Sequence, residues 1–422
     1  MLTVYSPPFS KTADTFKPKS AAPEDLEARA HTRTHVVLNP RLSGFSCIRC
    51  EARWPLGDYF EGCPVCLAQD HPCAVKAAFH EPPGELAAAG ERGMTRYAAW
   101  MPYSSWRSLG EGGTPCTSFR GLADEVGTAN IYVKNEGQNP SGSHKDRVSC
   151  LTVARAVDIG ATKVVAASSG NGGASLALYA AASGVRCSVV ATSNLSPIHR
   201  RAITTTGAEL VIVDDALERW RTVGAMVKDR GWFPATNYIN PPVGSNHFGV
   251  EGLRTLAYEL VEELGAGGFH AVLVPTSRGD LIWGLYEGFR QLSELGLIQA
   301  PPRLYAVEPF PRISKVLNGE AITGAFPGTT ALYSIGGSTV TFQAVKAVLA
   351  TGGRAVVVDD ATAMRDQFRL AEQGCYAELS SAAALSGLEV LRKEGAIGQD
   401  ETVVLMATSS GYKDAPDLMS AA

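Results

Sequence analysis

Short apolar runs rich in β-branched residues alternate with helix-period patterns from about residue 95 to the end of the chain. That alternation is the tightest constraint on the fold. Parallel strands need a crossover of a dozen or more residues between them, and a helix is its usual form. Strands are predicted at Ile131–Lys134, Lys163–Ala167, Arg186–Ala191, Glu209–Val213, Ala271–Val274, Leu304–Val307, Ala355–Val358 and Thr402–Ala407. Between them, Glu251–Leu264 places Leu253, Leu256, Ala257, Leu260, Val261 and Leu264 on one helical face. The class is α/β with parallel sheets, and this many strands suits two sheets better than one. A chain of 422 residues has length for two or three domains. Residues 1–40 are rich in Pro, Ser, Lys and Glu without a sustained period and read as an arm.

Composition removes several function classes. A net charge of -4 leaves no basic footprint for nucleic acid or for an anionic membrane surface. No apolar run approaches the roughly 18 residues of a membrane span. The first residues, MLTVYSPPFSKTADTFKPKS, contain no signal-type apolar core, so secretion is not expected. The nine cysteines are an odd number, which fits a reducing cytoplasm better than a disulfide scaffold. Four of them, Cys47, Cys50, Cys63 and Cys66, form two C-x2-C knuckles 12 residues apart within a segment at 41–75. This spacing matches a tetrahedral structural zinc ribbon, a closed site with no position left for catalysis. His71 and Cys73 follow closely as alternative ligands.

Asn139–Arg147 reads NPSGSHKDR. A turn of small residues delivers Lys145 to the start of a predicted helix with Val148, Leu151, Ala154 and Val157 at helical spacing, ending at Gly160. A lysine held there, partly desolvated, has a lowered pKa and a usable nucleophilic amine. Three predicted strands then end in small polar loops, and open α/β sheets bind ligands at such carboxyl ends. The loops are Ser168-Ser169-Gly170-Asn171-Gly172-Gly173, Pro275-Thr276-Ser277-Arg278-Gly279-Asp280 and Thr408-Ser409-Ser410-Gly411-Tyr412-Lys413-Asp414.

Taken in order, the lysine motif and the three loops resemble fold-type-II pyridoxal-phosphate (PLP) enzymes of the tryptophan synthase β type, and threonine synthases in particular. Gly110–Pro115 (GEGGTP) and Asn237–Glu259 extend the resemblance over about residues 45–414. It implies two parallel-sheet domains: a large PLP domain from 76–130 and 255–422, and a small domain at 131–254. It implies that Lys145 carries PLP and that Asn171 bonds the ring oxygen. Ser168 and Ser169, with the amides of their loop, would hold the substrate carboxylate. Thr408 would face the pyridine nitrogen, where a neutral hydroxyl favours elimination and replacement over transamination.

The chain departs from the family in three places. Thr276, Ser277, Arg278, Gly279 and Asp280 stand where a glycine-rich phosphate loop is usual, and Arg278 either pairs with the phosphate or turns into a structural salt bridge. His144 replaces Phe, as packing or as part of the substrate pocket, and Leu253-Arg254-Thr255 replaces Gln-Lys-Thr. Ser141, Arg147 and Asn246 are further polar candidates for the substrate anion. The implied reaction converts O-phosphohomoserine to threonine and phosphate, in a cytoplasmic homodimer acting on a small amino acid. The alternatives are β-replacement on O-phosphoserine or another activated serine, as in cysteate- or diaminopropionate-type synthases, and serine/threonine dehydration. A non-enzymatic regulator would have no need of the intact lysine motif.

Overall fold

The computed structural model describes residues 3–5 and 35–414. Two sheets organise it. The first runs in the order Thr3–Tyr5, Glu209–Val213, Arg186–Thr192, Lys163–Ala167, Phe233–Pro234, parallel except for the antiparallel edge at Thr3–Tyr5. The second runs Ala355–Val357, Arg303–Glu308, Ala271–Pro275, Thr402–Ala407, Asn130–Asn135, Cys116–Ser118, with only the last antiparallel. Every strand predicted from the sequence is present, half of them lengthened by one or two residues and Ala355–Val357 one residue shorter. Central strands such as Ala271–Pro275 are buried along their whole length, as expected when helices cover both faces of a parallel sheet. The helix predicted at Glu251–Leu264 begins as a tighter 3-10 turn over Glu251–Arg254 and becomes α-helical at Thr255–Leu264.

Strand order locates the site. In the second sheet the chain runs outward through Ala271–Pro275, Arg303–Glu308 and Ala355–Val357, and lays Thr402–Ala407 on the opposite side. In the first sheet Lys163–Ala167, Arg186–Thr192 and Glu209–Val213 run one way and Phe233–Pro234 the other. Each sheet thus has a topological switch point, where adjoining loops diverge and leave a crevice. All three candidate loops leave strands that border those two points.

Some domain boundaries need correction. The small-domain boundary expected at 131 falls inside Asn130–Asn135, which pairs with Thr402–Ala407 along its whole length in the six-stranded sheet. The arm expected over 1–40 lies largely outside the described residues. Residues 35–40 instead belong to the body: Val37–Leu38 pairs with Tyr103–Ser105, and the Asn39 amide donates to the carbonyls of Ala99 and Met101. The cysteine segment extends past 75, because Val75–Phe79 completes a three-stranded antiparallel sheet with Leu42–Cys47 and Arg53–Trp54. It docks through Ala77 N donating to Glu251 at 2.9 Å, and through Lys346 donating to the Ile48 carbonyl at 2.7 Å. Among the described residues no helix is long and apolar enough to cross a membrane.

Candidate active site

Lys145 opens the helix Lys145–Asp158. The loop before it is stitched to the end of strand Thr402–Ala407. His144 N donates to the Thr408 carbonyl at 3.0 Å, Ser410 N donates to the Gly142 carbonyl at 3.0 Å, and Ser143 and Ser409 form an antiparallel bridge. The His144 ring donates from Nδ1 to the same Thr408 carbonyl at 3.1 Å. The ring thus fastens the lysine loop, and burial, followed by the neighbouring Lys145, holds its pKa well below the ordinary value. Burial also lowers the Lys145 ammonium, opposed by Asp280 and reinforced by Arg278. The amine is thus more readily neutral than a surface lysine.

Three helix starts converge here without side-chain caps: Lys145–Asp158, Asn171–Ala182 and Asp280–Glu294. Ser196, Asp215 and Asp359 cap helices elsewhere, although Phe342–Ala350 and Leu379–Lys393 also start without a side-chain cap. An uncapped start leaves backbone N–H groups and the positive end of the helix dipole open to an anion.

Several predicted residues shape these loops rather than point free of them. Ser168 Oγ accepts Gly173 N at 2.9 Å, and Ser169 Oγ accepts Thr192 N at 2.9 Å. Thr276 turns its hydroxyl back to the Val274 carbonyl at 2.6 Å. Asp280, expected at the cofactor, receives Ser245 Oγ at 2.6 Å and Gln343 Nε2 at 2.5 Å, so its carboxylate braces the loop. Ser141 is likewise taken up by Asp146, its N donating at 2.6 Å. Gly279, with φ +95°, makes the left-handed turn into the Asp280 helix. Thr408 is buried, its Oγ1 2.8 Å from Ser381 Oγ. Among the described residues no carboxylate forms a salt bridge with Arg278, although Asp280 lies within electrostatic reach.

Two expectations fail outright. Arg147 is fully buried between Glu136 and Glu259, with Nε and Nη2 on Glu136 at 2.8 Å and Nη1 on Glu259 at 2.6 Å. Asn246 caps the short helix His247–Val250 and donates to the Pro234 carbonyl at 3.1 Å. Arg147 has no donor left for a substrate, and Asn246 is committed to its helix cap and to the Pro234 carbonyl. The buried carboxylates that claim Arg147 lie 11 and 112 residues away, beyond any local motif.

Sequence reasoning also missed residues. The Asn171 amide is held in one plane, with Nδ2 donating to Glu378 at 2.6 Å and Oδ1 accepting Lys413 at 2.9 Å and His199 at 3.3 Å. Lys413 kept its family spacing in the sequence, whereas Glu378 and His199 carried no local signal. Arg312, also unforeseen, donates to the carbonyls of Thr276 and Ser277 at 2.8 and 3.2 Å and stiffens that loop.

In the ribbon, the sulfurs of Cys47, Cys50, Cys63 and Cys66 all lie within 4.8 Å of one another, with the pairs 47–66 and 50–63 at 3.6 Å. A tetrahedral Zn–S4 site with bonds of about 2.3 Å has S···S edges of roughly 3.8 Å, so the four thiols fit that ion. His71 and Cys73 lie outside the group.

A half-buried, easily neutralised lysine between the switch points of two parallel sheets, with helix starts open to a phosphate, defines a cofactor enzyme of the type-II PLP class. Residues 107–409 match the family described as pyridoxal-phosphate dependent enzyme, and the chain belongs to it. Within that family it resembles threonine synthases. It is 33% identical over 342 residues to the threonine synthase of Methanocaldococcus jannaschii, covering 78% of this chain and 82% of that protein. It is 32% identical over 348 residues to that of Mycobacterium tuberculosis strain H37Rv, covering 81% and 91%. Among solved structures, maize serine racemase shares the fold at a TM-score of 0.63 and 21% identity, covering 73% of this chain and 91% of that one. O-ureido-L-serine synthase does so at 0.58 and 22%, covering 73% and 96%.

Proposed function

We propose that the protein is a PLP-dependent lyase of the threonine synthase type, acting on O-phosphohomoserine to release phosphate and form threonine. The observation that carries this reading is the placement of Lys145, half-buried at the start of its helix beside the strand-end loops at the switch points. Bound there, PLP would supply an electron sink for charge developing at the substrate α-carbon. Lys145 would hold the cofactor and, once freed by substrate, move the α-proton through its Nζ. The amides at the start of Asn171–Ala182 would orient the substrate carboxylate. The backbone N–H groups of the Ser277–Gly279 turn and of the Asp280 helix start would receive the cofactor phosphate, and Thr408, paired with Ser381, would meet the ring nitrogen as a neutral hydroxyl. Zinc on the four ribbon cysteines, a cytoplasmic setting and a homodimer complete the reading.

Purified protein supplied with PLP is expected to show the visible absorbance band of lysine-bound cofactor, absent in Lys145→Ala. No band in the wild type would end the enzyme reading. Phosphate release from O-phosphohomoserine, compared with O-phosphoserine, decides the substrate. Release from O-phosphoserine alone would select β-replacement instead.

A further inference from the structure

Two arginines at the crevice lack a carboxylate partner among the described residues. Arg219 lies in the helix Ala216–Arg230, which follows strand Glu209–Val213 of the five-stranded sheet. Its Nη1 donates to Ser169 Oγ at 3.0 Å, while its Nε is buried without an acceptor. Arg278 comes from the other sheet, in the loop after Ala271–Pro275. Its guanidinium lies 5.7 Å from the centre of the Trp220 ring, the residue next to Arg219. That contact brings Arg278, from one sheet, beside the helix of the other sheet that carries Arg219. Arg312, the third arginine nearby, differs: Glu308 lies 3.6 Å from its Nε, and its other donors are taken by loop carbonyls.

Desolvated like charges held side by side are unfavourable alone and become favourable when an anion accepts from both. Burial, followed by the proximity of Arg278, brings the Arg219 guanidinium down to about 10, in line with a pair that lacks its counter-ion. Arg147 and Asn246 are consumed elsewhere, so these are the crevice arginines with donors to spare.

We propose that Arg219 and Arg278 form a two-sided clamp for the side-chain anion of the substrate, a phosphate monoester, with Ser169 orienting Arg219. This rests on the PLP-lyase reading and narrows its substrates to amino acids with a dianionic leaving group. The cofactor phosphate is the weaker match. Arg219 is anchored to the Ser168–Gly173 loop across the crevice from the Asp280 helix start, and Arg278 leans away from its own loop onto Trp220. The substrate carboxylate carries one charge and is met by the amides at the start of Asn171–Ala182. An anion held by both arginines would also tie one sheet to the other while substrate is bound.

The test uses the PLP-loaded enzyme with inorganic phosphate as the probe, titrated calorimetrically into wild type, Arg219→Gln, Arg278→Gln and Arg278→Lys. Each Gln variant is expected to weaken phosphate binding about tenfold or more, and the Lys variant less. KM for the phosphorylated substrate should rise in parallel. PLP affinity should not change, nor should the spectral response to L-homoserine, which has no side-chain anion. Phosphate binding equal to wild type in both Gln variants would overturn the clamp. So would a loss of PLP affinity, which assigns the arginines to the cofactor, or an equal loss of the L-homoserine response, which assigns them to the carboxylate. Absence of the cofactor band in wild type would instead overturn the reading beneath it.

Discussion

Gly279 carries the sharpest steric demand in the loop proposed to receive the cofactor phosphate. Its φ of +95° is one that side chains avoid, and a Cβ built there would sit 2.4 Å from Ala344 Cβ. The helix Phe342–Ala350, whose Gln343 also braces Asp280, is therefore packed directly against the turn. Gly279→Ala is expected to cost about 1–3 kcal/mol by overpacking. It should also weaken PLP binding, read as a right-shifted titration of the visible band. Unchanged cofactor affinity would show that the turn does not serve the phosphate. At this scale the lysine was legible, because turn, lysine and helix start are contiguous. The roles of Arg147 and Asp280 were not, because residue type and spacing do not reveal which polar groups are already satisfied by distant partners.

The ribbon and its docking surface set the predictions at the scale of elements. Its four ligands come from 20 consecutive residues, 47–66, so their spacing alone pointed to the cluster. Zinc analysis is expected to find one ion per chain, lost in Cys50→Ser, with a lower melting temperature on chelation; metal-free protein of full stability would refute this. What the ribbon packs against appears only in the fold. His247 is buried beside Phe45, Phe248 and Tyr59, at ring distances of 4.6, 4.8 and 5.9 Å. Burial lowers its pKa from 6.5 to about 4. The unfolded chain therefore takes up a proton that the folded one resists. Stability is present above the ordinary pKa of 6.5 and is lost as pH falls toward about 4. The loss amounts to roughly 3 kcal/mol by the lower end of that window. Denaturant midpoints at pH 7.5 and 5 should separate more in wild type than in His247→Gln.

For the whole molecule, one buried charge node joins the lysine helix to the larger sheet. Arg147, on that helix, is paired with Glu136 and Glu259, and Glu259 also receives Lys134 from strand Asn130–Asn135 at 2.8 Å. Burial pushes Glu259 upward, but Arg147 and Lys134 outweigh it and hold its carboxyl at about 2. Its stabilising contribution is full above the unfolded value of 4.5 and disappears as pH falls through about 2, so acid unfolding should steepen in that window. Arg147→Met would leave Glu136 buried without its cation and Glu259 with Lys134 alone, and is expected to cost about 3–5 kcal/mol, seen as a lower denaturation midpoint. A near-neutral result would mean that water or rearranged partners can replace the guanidinium.

By itself the sequence determined what depends on neighbours along the chain: the strand–helix alternation, the ribbon knuckles, and the turn that presents Lys145. Those follow from periodicity and backbone preference, which act over a few residues. The tertiary structure alone decided the strand order that places Asn130–Asn135 in the larger sheet. It also decided the sequestering of Arg147 and Asn246, and left Arg219 and Arg278 without a salt bridge among the described residues. A buried polar group does what its unsatisfied donors and acceptors allow, and that balance is struck between residues far apart in the chain.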